Sequence, residues 1–346
     1  MSYRVALSFE DGITRFVTCA ADEVVADAAY RARVNIPLDC RDGACGTCKA
    51  FCDSGRYDGG DYIEEALTDN EADAGFCLPC QMTPRSDLVL RIAGTSDLAK
   101  TAAATFTGKV VDIQRFSGTT AGLTIEVGNR ADLIFLPGQY VNLTVPGTDA
   151  TRSYSFSNAP EATTVSFLVR LRDAGAMTDY LRERARPGDE LTFTGPRGSF
   201  FLRAVTRPVL LVAGGTGLAP ILSILEQMRA DGVVYPVRLL YGASNDADLI
   251  ELDRLDGFAA ELSDFGYEVC VSGTGTSARR RGHVTDLITD EHLHAGEVDI
   301  YLCGPPPMVE SARTWLTDHA ITPANFFFEK FATSGALNSA LAGVAS

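Results

Sequence analysis

Positive charge is scarce in this chain. Its 346 residues carry 30 Lys+Arg against 45 Asp+Glu, a formal net charge of −15. That balance disfavours nucleic acid and anionic membranes as partners, because both repel it. Histidine is scarcer still, with four residues. His283, His292, His294 and His319 form no metal-ligand spacing with the cysteines, and none falls in the N-terminal region. A Rieske site, which needs two histidines among its cysteines, is therefore excluded there. No apolar run has the roughly 20 residues a helix needs to span a bilayer. The opening MSYRVALSFEDG alternates like a strand and lacks a charged-then-apolar leader. Internal repeats and low-complexity blocks are missing as well. Cysteines number 9, an odd count in a long chain, which speaks against a disulfide framework. We expect a cytoplasmic protein, acting as a monomer.

What is present is more specific. Cys40, Cys45, Cys48 and Cys80 follow the plant-type spacing Cys-x4-Cys-x2-Cys…Cys for a 2Fe-2S cluster. Three sulfurs come from one tight loop, CRDGACGTC, and the fourth from a separate segment. Gly43, Ala44, Gly46 and Thr47 are small enough for the backbone to wrap closely and aim N–H groups at sulfur. Such a centre is reducing, near −400 mV. Cys77 competes with Cys80 as the fourth ligand, and Leu78-Pro-Cys-Gln81 favours Cys80. Cys19, Cys52 and Cys270 read as small apolar fillers. Residues 1–95 hold 16 Asp+Glu and 9 Lys+Arg, a net −7. Two readings stand side by side: plain solubility, or a negative face for a basic electron acceptor.

Texture changes twice along the chain. Residues 1–95 read as a small mixed domain: strands at 3–9, 14–19 and 88–92, and a helix over 24–33. Residues 94–104 are small and polar, as a linker would be. From 104 to 204, short strands at 107–113, 122–127, 140–145, 164–172 and 189–194, split by Gly/Pro turns, predict an antiparallel barrel or sandwich with a helix at about 176–185. From 205 to 333, strands at 208–213, 237–241, 267–272 and 299–303 alternate with helices, including 218–230. That alternation predicts a doubly wound parallel sheet. Residues 334–346 are featureless and predict a disordered tail.

Two segments suit nucleotides. Val209–Pro220, VLLVAGGTGLAP, reads strand, glycine turn, helix; it is not the GxGxxG fingerprint, but Gly214, Gly215 and Gly217 open a helix N-terminus to a pyrophosphate. Tyr301–Met308, YLCGPPPM, closes another parallel strand at the end where ligands bind. Cys303 there is either beside a nicotinamide ring or a buried structural thiol. In the barrel, Arg152 and Tyr154 share a strand face. They suit a phosphate and a flat ring, with Ser155 hydrogen-bonding a ring nitrogen; an exposed polar strand is the plainer alternative. Gly175-Ala-Met177-Thr178 opens a helix whose free N–H groups and Thr178 hydroxyl suit a second phosphate. After Tyr241-Gly242, Asp246 or Asp248 suits adenine ribose hydroxyls and repels a 2′-phosphate. No Arg or Lys lies in that loop; helix-capping acids are the alternative.

Taken together, CRDGACGTC with LPCQ, RSYSFSN, GAMT, GGTGLAP, CGPPPM and FFFEKF resemble a ferredoxin–NAD(P) reductase-type flavoprotein with a plant-type ferredoxin fused at its N-terminus. The order of parts is similar to reductases of Rieske aromatic-ring dioxygenases, and the cysteine region to benzoate and toluate 1,2-dioxygenase reductases. The resemblance covers the chain to about Phe331. It implies a β-grasp ferredoxin, a flavin barrel and an NAD-binding α/β domain. It also implies FAD held by Arg152, Tyr154, Ser155 and the Gly175–Thr178 backbone, including Met177. Val169 and Arg170 match positions near the flavin ring edge and ribityl chain. NADH lies on Gly215, Thr216, Gly217 and the loop of Gly304, Pro305 and Met308. Ser155, Cys303 and Phe331 are the residues expected nearest the chemistry. The implied activity is an NADH:acceptor oxidoreductase: a hydride enters FAD and single electrons leave through 2Fe-2S to a Rieske-type oxygenase. A di-iron monooxygenase or another aromatic dioxygenase is the alternative partner, and a non-enzymatic redox sensor the alternative class.

Overall fold

The computed structural model describes residues 1–100, 103–274 and 280–331. They divide into two units: Met1–Ala104 with Arg197–Ser199, and Thr105–Pro196 with Phe200–Phe331. The expected tail at 334–346 lies outside the described residues, as do 332 and 333. Among the described residues no helix is long and apolar enough to cross a membrane.

In the first unit, Ser2–Phe9 and Thr14–Ala20 form the expected antiparallel hairpin. Leu88–Ile92 lies parallel to Ser2–Phe9 on its other edge, and Ala50–Ser54 and Phe76–Cys77 extend the sheet. The helix Val25–Arg31 buries Val25, Ala26, Ala28 and Ala29, the spacing of a single helical face. That face joins Val5, Leu7, Val17 and Leu90 of the sheet in one core. It stops where Arg33 turns to φ 59, short of Pro37. A short helix, Asp69–Asp73, was not foreseen. Its capping box pairs Glu71 N–H with Thr68 Oγ1 at 3.3 Å and Thr68 N–H with the Glu71 carboxylate at 3.0 Å. Such a cap is worth about 1 kcal/mol. The result is the β-grasp expected from the sequence.

The second unit holds two sheets. Six antiparallel strands run in the order Thr151–Ser155, Tyr140–Thr144, Glu190–Arg197, Ala104–Arg115, Thr120–Val127, Thr164–Arg170. A bridge between Phe156 and Phe167 brings the outermost strands together and nearly closes the barrel. Alternate residues point inward: Leu123, Ile125, Val127, Val141, Leu143, Val165, Phe167 and Val169 form its core. The expected helix at 176–185 is a single α-turn, Ala176–Asp179, running into a wider π-turn, Tyr180–Arg184.

The other sheet is parallel throughout, in the order Phe265–Val271, Val237–Ala243, Val209–Gly214, Asp299–Gly304, Asn325–Lys330. Val209–Gly214 is buried at every position, as its unbroken apolar run requires. The order reverses direction between Val209–Gly214 and Asp299–Gly304. Ligands of such sheets bind outside the strand C-termini at this switch point.

Candidate functional site

The sulfur loop is built by backbone that only small residues permit. At Gly43, φ is +73°, and a Cβ would stand 2.4 Å from the Asp61 carbonyl oxygen. Any side chain there would push the loop off the strand-side segment that backs it. Ala44 N–H donates to Cys40 Sγ at 3.4 Å. The Gln81 side-chain amide donates to Cys80 Sγ at 3.9 Å and to the Arg41 carbonyl at 3.0 Å, tying the fourth cysteine back to the loop. The four thiols sort into two hydrogen-bonded pairs, Cys40 with Cys45 and Cys48 with Cys80. Within each pair one sulfur is favoured as thiolate. Cys45 is pulled down to about 7, first by the Cys40 thiol and then, against burial, by Thr47. Cys80 is lowered chiefly by the Cys48 thiol. Cys40 and Cys48 are pushed up by their partners and by burial.

No group of three His, Cys, Asp or Glu among the described residues converges on a single ion. Two sulfur pairs suit a two-iron rhomb instead, with two thiolates for each iron. Cys77 stands apart from both pairs. It is buried on its own strand, donates to the Ala50 carbonyl at 3.6 Å, and is raised to about 12 by burial and the nearby Cys52.

Behind the loop, Lys49 pairs with Glu71 at 2.7 Å, both side chains nearly buried. This ion pair joins the residue after Cys48 to the Asp69–Asp73 helix, which leads to Cys80.

In the second unit, the two coenzyme loops meet at the switch point. A Cβ at Gly217 would lie 2.2 Å from the Cys303 carbonyl oxygen and 3.0 Å from Gly304 Cα. Glycine there lets the loop of Gly215, Thr216 and Gly217 pack on the end of the neighbouring strand. Gly304 is buried, whereas Pro305 is exposed and Met308 partly so, at the start of the helix Pro306–Asp318. Phe331 N–H donates to the Gly304 carbonyl at 2.9 Å, so the last described residue returns to the same loop.

Cys303 is fully buried. Its thiol is pushed well above the ordinary value, by burial first and by the Glu329 carboxylate second. Glu329 sits directly across from Cys303 in the parallel ladder. The Ser155 hydroxyl donates to Glu329 Oε2 at 3.4 Å. Ser155 and Cys303, singled out in the sequence, are thus linked through an acid that sequence reasoning missed. The signal was the acid that interrupts the aromatic run of FFFEKF.

Arg152 and Tyr154 share a half-exposed face of Thr151–Ser155, as alternation predicts. Gly175 has φ 156° and opens the turn of Met177 and Thr178. Met177 points into the barrel core, so only its backbone faces outward. Val169 is likewise a core side chain. The Thr178 hydroxyl accepts from Arg172 N–H at 3.1 Å and keeps its proton for another acceptor.

Asp248 departs from its expected role. Its carboxylate is 3% exposed and is not open to a ribose. It accepts from Ser117 Oγ at 3.1 Å and from Thr119 Oγ1, and faces Arg170 at 3.4 Å. Burial alone would raise this carboxyl; the Thr119 hydroxyl, the Arg170 charge, Ser117 and Asn245 outweigh it and hold it below the ordinary value. Arg170 accordingly points to Asp248. Asp246, half-buried, opens the one-turn helix Asp246–Asp248 just past Val237–Ala243.

Comparison with known proteins agrees with this layout. Residues 8–85 match the 2Fe-2S iron-sulfur cluster binding domain, 107–202 the oxidoreductase FAD-binding domain, and 211–314 the oxidoreductase NAD-binding domain. The chain is 48% identical to the toluate 1,2-dioxygenase electron transfer component of Pseudomonas putida, over 96% of this chain and 100% of that one. It is 49% identical to the 2-halobenzoate 1,2-dioxygenase electron transfer component of Burkholderia cepacia, over 96% and 98%. Among solved structures, a cytochrome P450 reductase of Amycolatopsis matches with TM-score 0.71 and 32% identity, over 95% of this chain and 99% of that one. With these three domains in turn along one chain and relatives matched over nearly their full length, the chain belongs to the ferredoxin-fused, FAD- and NAD-binding electron transfer components of aromatic ring-hydroxylating dioxygenases.

Proposed function

We propose that this chain draws electrons from NADH and delivers them singly to the Rieske-type oxygenase of a benzoate-class 1,2-dioxygenase. The single observation that carries the reading is the end-to-end match, at nearly half identity, to two dioxygenase electron transfer components, in a chain that carries 2Fe-2S, FAD-binding and NAD-binding domains in turn. The substrate class rests on relatives that serve toluate and 2-halobenzoate enzymes. When bound, FAD takes a hydride's two electrons together and a 2Fe-2S cluster takes one at a time.

The chain's own residues supply the setting. Arg152, Tyr154, Ser155, the backbone from Gly175 to Thr178, and the backbone at the strand end of Val169 and Arg170 would hold the flavin. Gly215, Thr216, Gly217 and the Gly304–Met308 loop hold the nicotinamide coenzyme. Ser155 Oγ donates to Glu329, so a proton near the barrel edge can be held at that hydroxyl and passed to or from the carboxylate. Cys303, buried and held as the neutral thiol, shapes the floor of the crevice without adding charge. Phe331 packs against the core that includes Tyr301 and Cys303. Asp246, just past the strand beside Val209–Gly214, is the acid that would select NADH.

Anaerobic rapid mixing of the reconstituted chain with NADH tests the relay. Flavin absorbance should bleach first and the 2Fe-2S bands should follow. A reduced flavin beside a cluster that stays oxidised would sink it.

A further inference from the structure

Asp248 belongs to the parallel-sheet half of its unit but commits its carboxylate to the barrel half. One oxygen accepts from Ser117 Oγ at 3.1 Å and from Thr119 Oγ1, both in the turn that joins the first two barrel strands. The other faces the Arg170 guanidinium at 3.4 Å, at the end of Thr164–Arg170, and accepts from Asn245 Nδ2 at 3.3 Å. On the sheet side, the Asp248 carbonyl accepts from the Tyr241 hydroxyl at 2.9 Å, and Tyr241 is itself fully buried. The residue is therefore anchored at both ends.

The barrel groups it grips are also tied to one another. Arg170 lies opposite Thr120 in the ladder, and Leu171 N–H donates to the Thr119 carbonyl at 2.7 Å. One carboxylate thus fixes a turn, a strand end and the coenzyme-side loop at a single point. A buried charge compensated by this many donors tolerates few other arrangements.

The geometry points to Asp248 as a positioning residue for hydride transfer, one that locks the coenzyme-binding sheet onto the flavin-binding barrel through Ser117, Thr119 and Arg170. This role rests on the NADH-to-FAD reading above and deepens it. Hydride transfer needs the donor and acceptor atoms at roughly 3–3.5 Å, and a misplacement of ~1 Å costs ~100-fold in rate. The nicotinamide loops ride on the sheet and the flavin contacts ride on the barrel, so a fixed junction between them governs that approach. Recognition of a ribose by the same carboxylate would need oxygens open to the ligand, and they are enclosed.

The test uses the full chain with flavin and cluster in place, as Asp248→Asn and, separately, Thr119→Val. Thr119→Val removes a donor from the barrel side and leaves every coenzyme-side residue intact. Rapid mixing with NADH and 4-deuterated NADH should show flavin reduction slowed about 10-fold or more in both variants at saturating coenzyme. The isotope effect should be fully expressed, flavin content retained, and the preference for NADH over NADPH kept within about twofold. Flavin reduction at the unaltered rate in Thr119→Val would overturn the role. So would a tenfold loss of NADH preference in Asp248→Asn, since that would make the acid a ribose ligand. If Asp248→Asn does not fold, Thr119→Val decides alone. Absence of flavin reduction in the unaltered chain would instead overturn the relay, and this role with it.

Discussion

At the scale of single residues, the cluster loop is a tightly constrained stretch, with a Cβ at Gly43 standing 2.4 Å from the Asp61 carbonyl oxygen. Cys40, Cys45 and Cys48 declare themselves because a cluster loop permits few alternatives. Leu78-Pro-Cys-Gln81 already favours Cys80 over Cys77 as the fourth ligand, and the fold adds a physical reason. Cys77 faces the sheet core and the Ala50 carbonyl, whereas Cys80 meets Cys48. Cys80→Ser should therefore abolish the visible 2Fe-2S absorbance after anaerobic reconstitution. Cys77→Ser should keep it, at a cost of about 1–3 kcal/mol for placing a hydroxyl in the core. A spectrum lost in both variants through loss of the cluster alone would reverse the assignment. Glu329 and Asp248 show the opposite case. An acid in a strand and an acid in a loop look alike in sequence, and only their partners, Ser155 on one side and Ser117, Thr119 and Arg170 on the other, separate their roles.

Among elements, local pattern succeeded where it was strong. The helix Leu218–Ala230 and the strand Leu88–Ile92 stand where periodicity placed them. Asn325–Lys330 escaped because it is an edge strand, partly buried along its length, and FFFEK offers no alternation to read. The helix expected at 176–185 is split because its second half widens into a π-turn, which no residue pattern announces. Gly217 carries the element-level prediction. Its missing Cβ is what allows the glycine turn to touch Cys303 and Gly304. Gly217→Ala forces backbone apart and should cost about 1–3 kcal/mol in thermal unfolding. It should also raise the KM for NADH several-fold while the cluster spectrum stays unchanged. An unaltered KM would mean that this turn does not seat the coenzyme.

For the whole molecule, the succession of three textures was legible because each has its own hydrophobic period. The closure of the barrel was not, because the Phe156–Phe167 bridge joins the two outermost strands of the sheet. Nor was the grouping of barrel and parallel sheet into one unit, which depends on side chains such as Asp248 reaching across. That grouping predicts that a chain lacking residues 1–104 keeps NADH-dependent reduction of ferricyanide, within a few-fold. It should lose NADH-dependent reduction of the oxygenase. A truncated chain that still fed the oxygenase would show the N-terminal unit to be dispensable for delivery.

The placement of Cys80 has a further bearing on durability. Iron bound to Cys48 and Cys80 would staple shut the excursion that carries Ala50–Ser54, Asp69–Asp73 and Phe76–Cys77, and such clips stabilise by removing loop entropy from the unfolded chain. Whenever iron is lost, the Lys49–Glu71 pair, the pairing of Ala50–Ser54 with Phe76–Cys77 and Leu88–Ile92, and the core around Leu67 and Leu78 would be left to hold that excursion. Iron supply and oxidative damage would thereby govern how long this domain survives proteolysis, as well as whether it conducts.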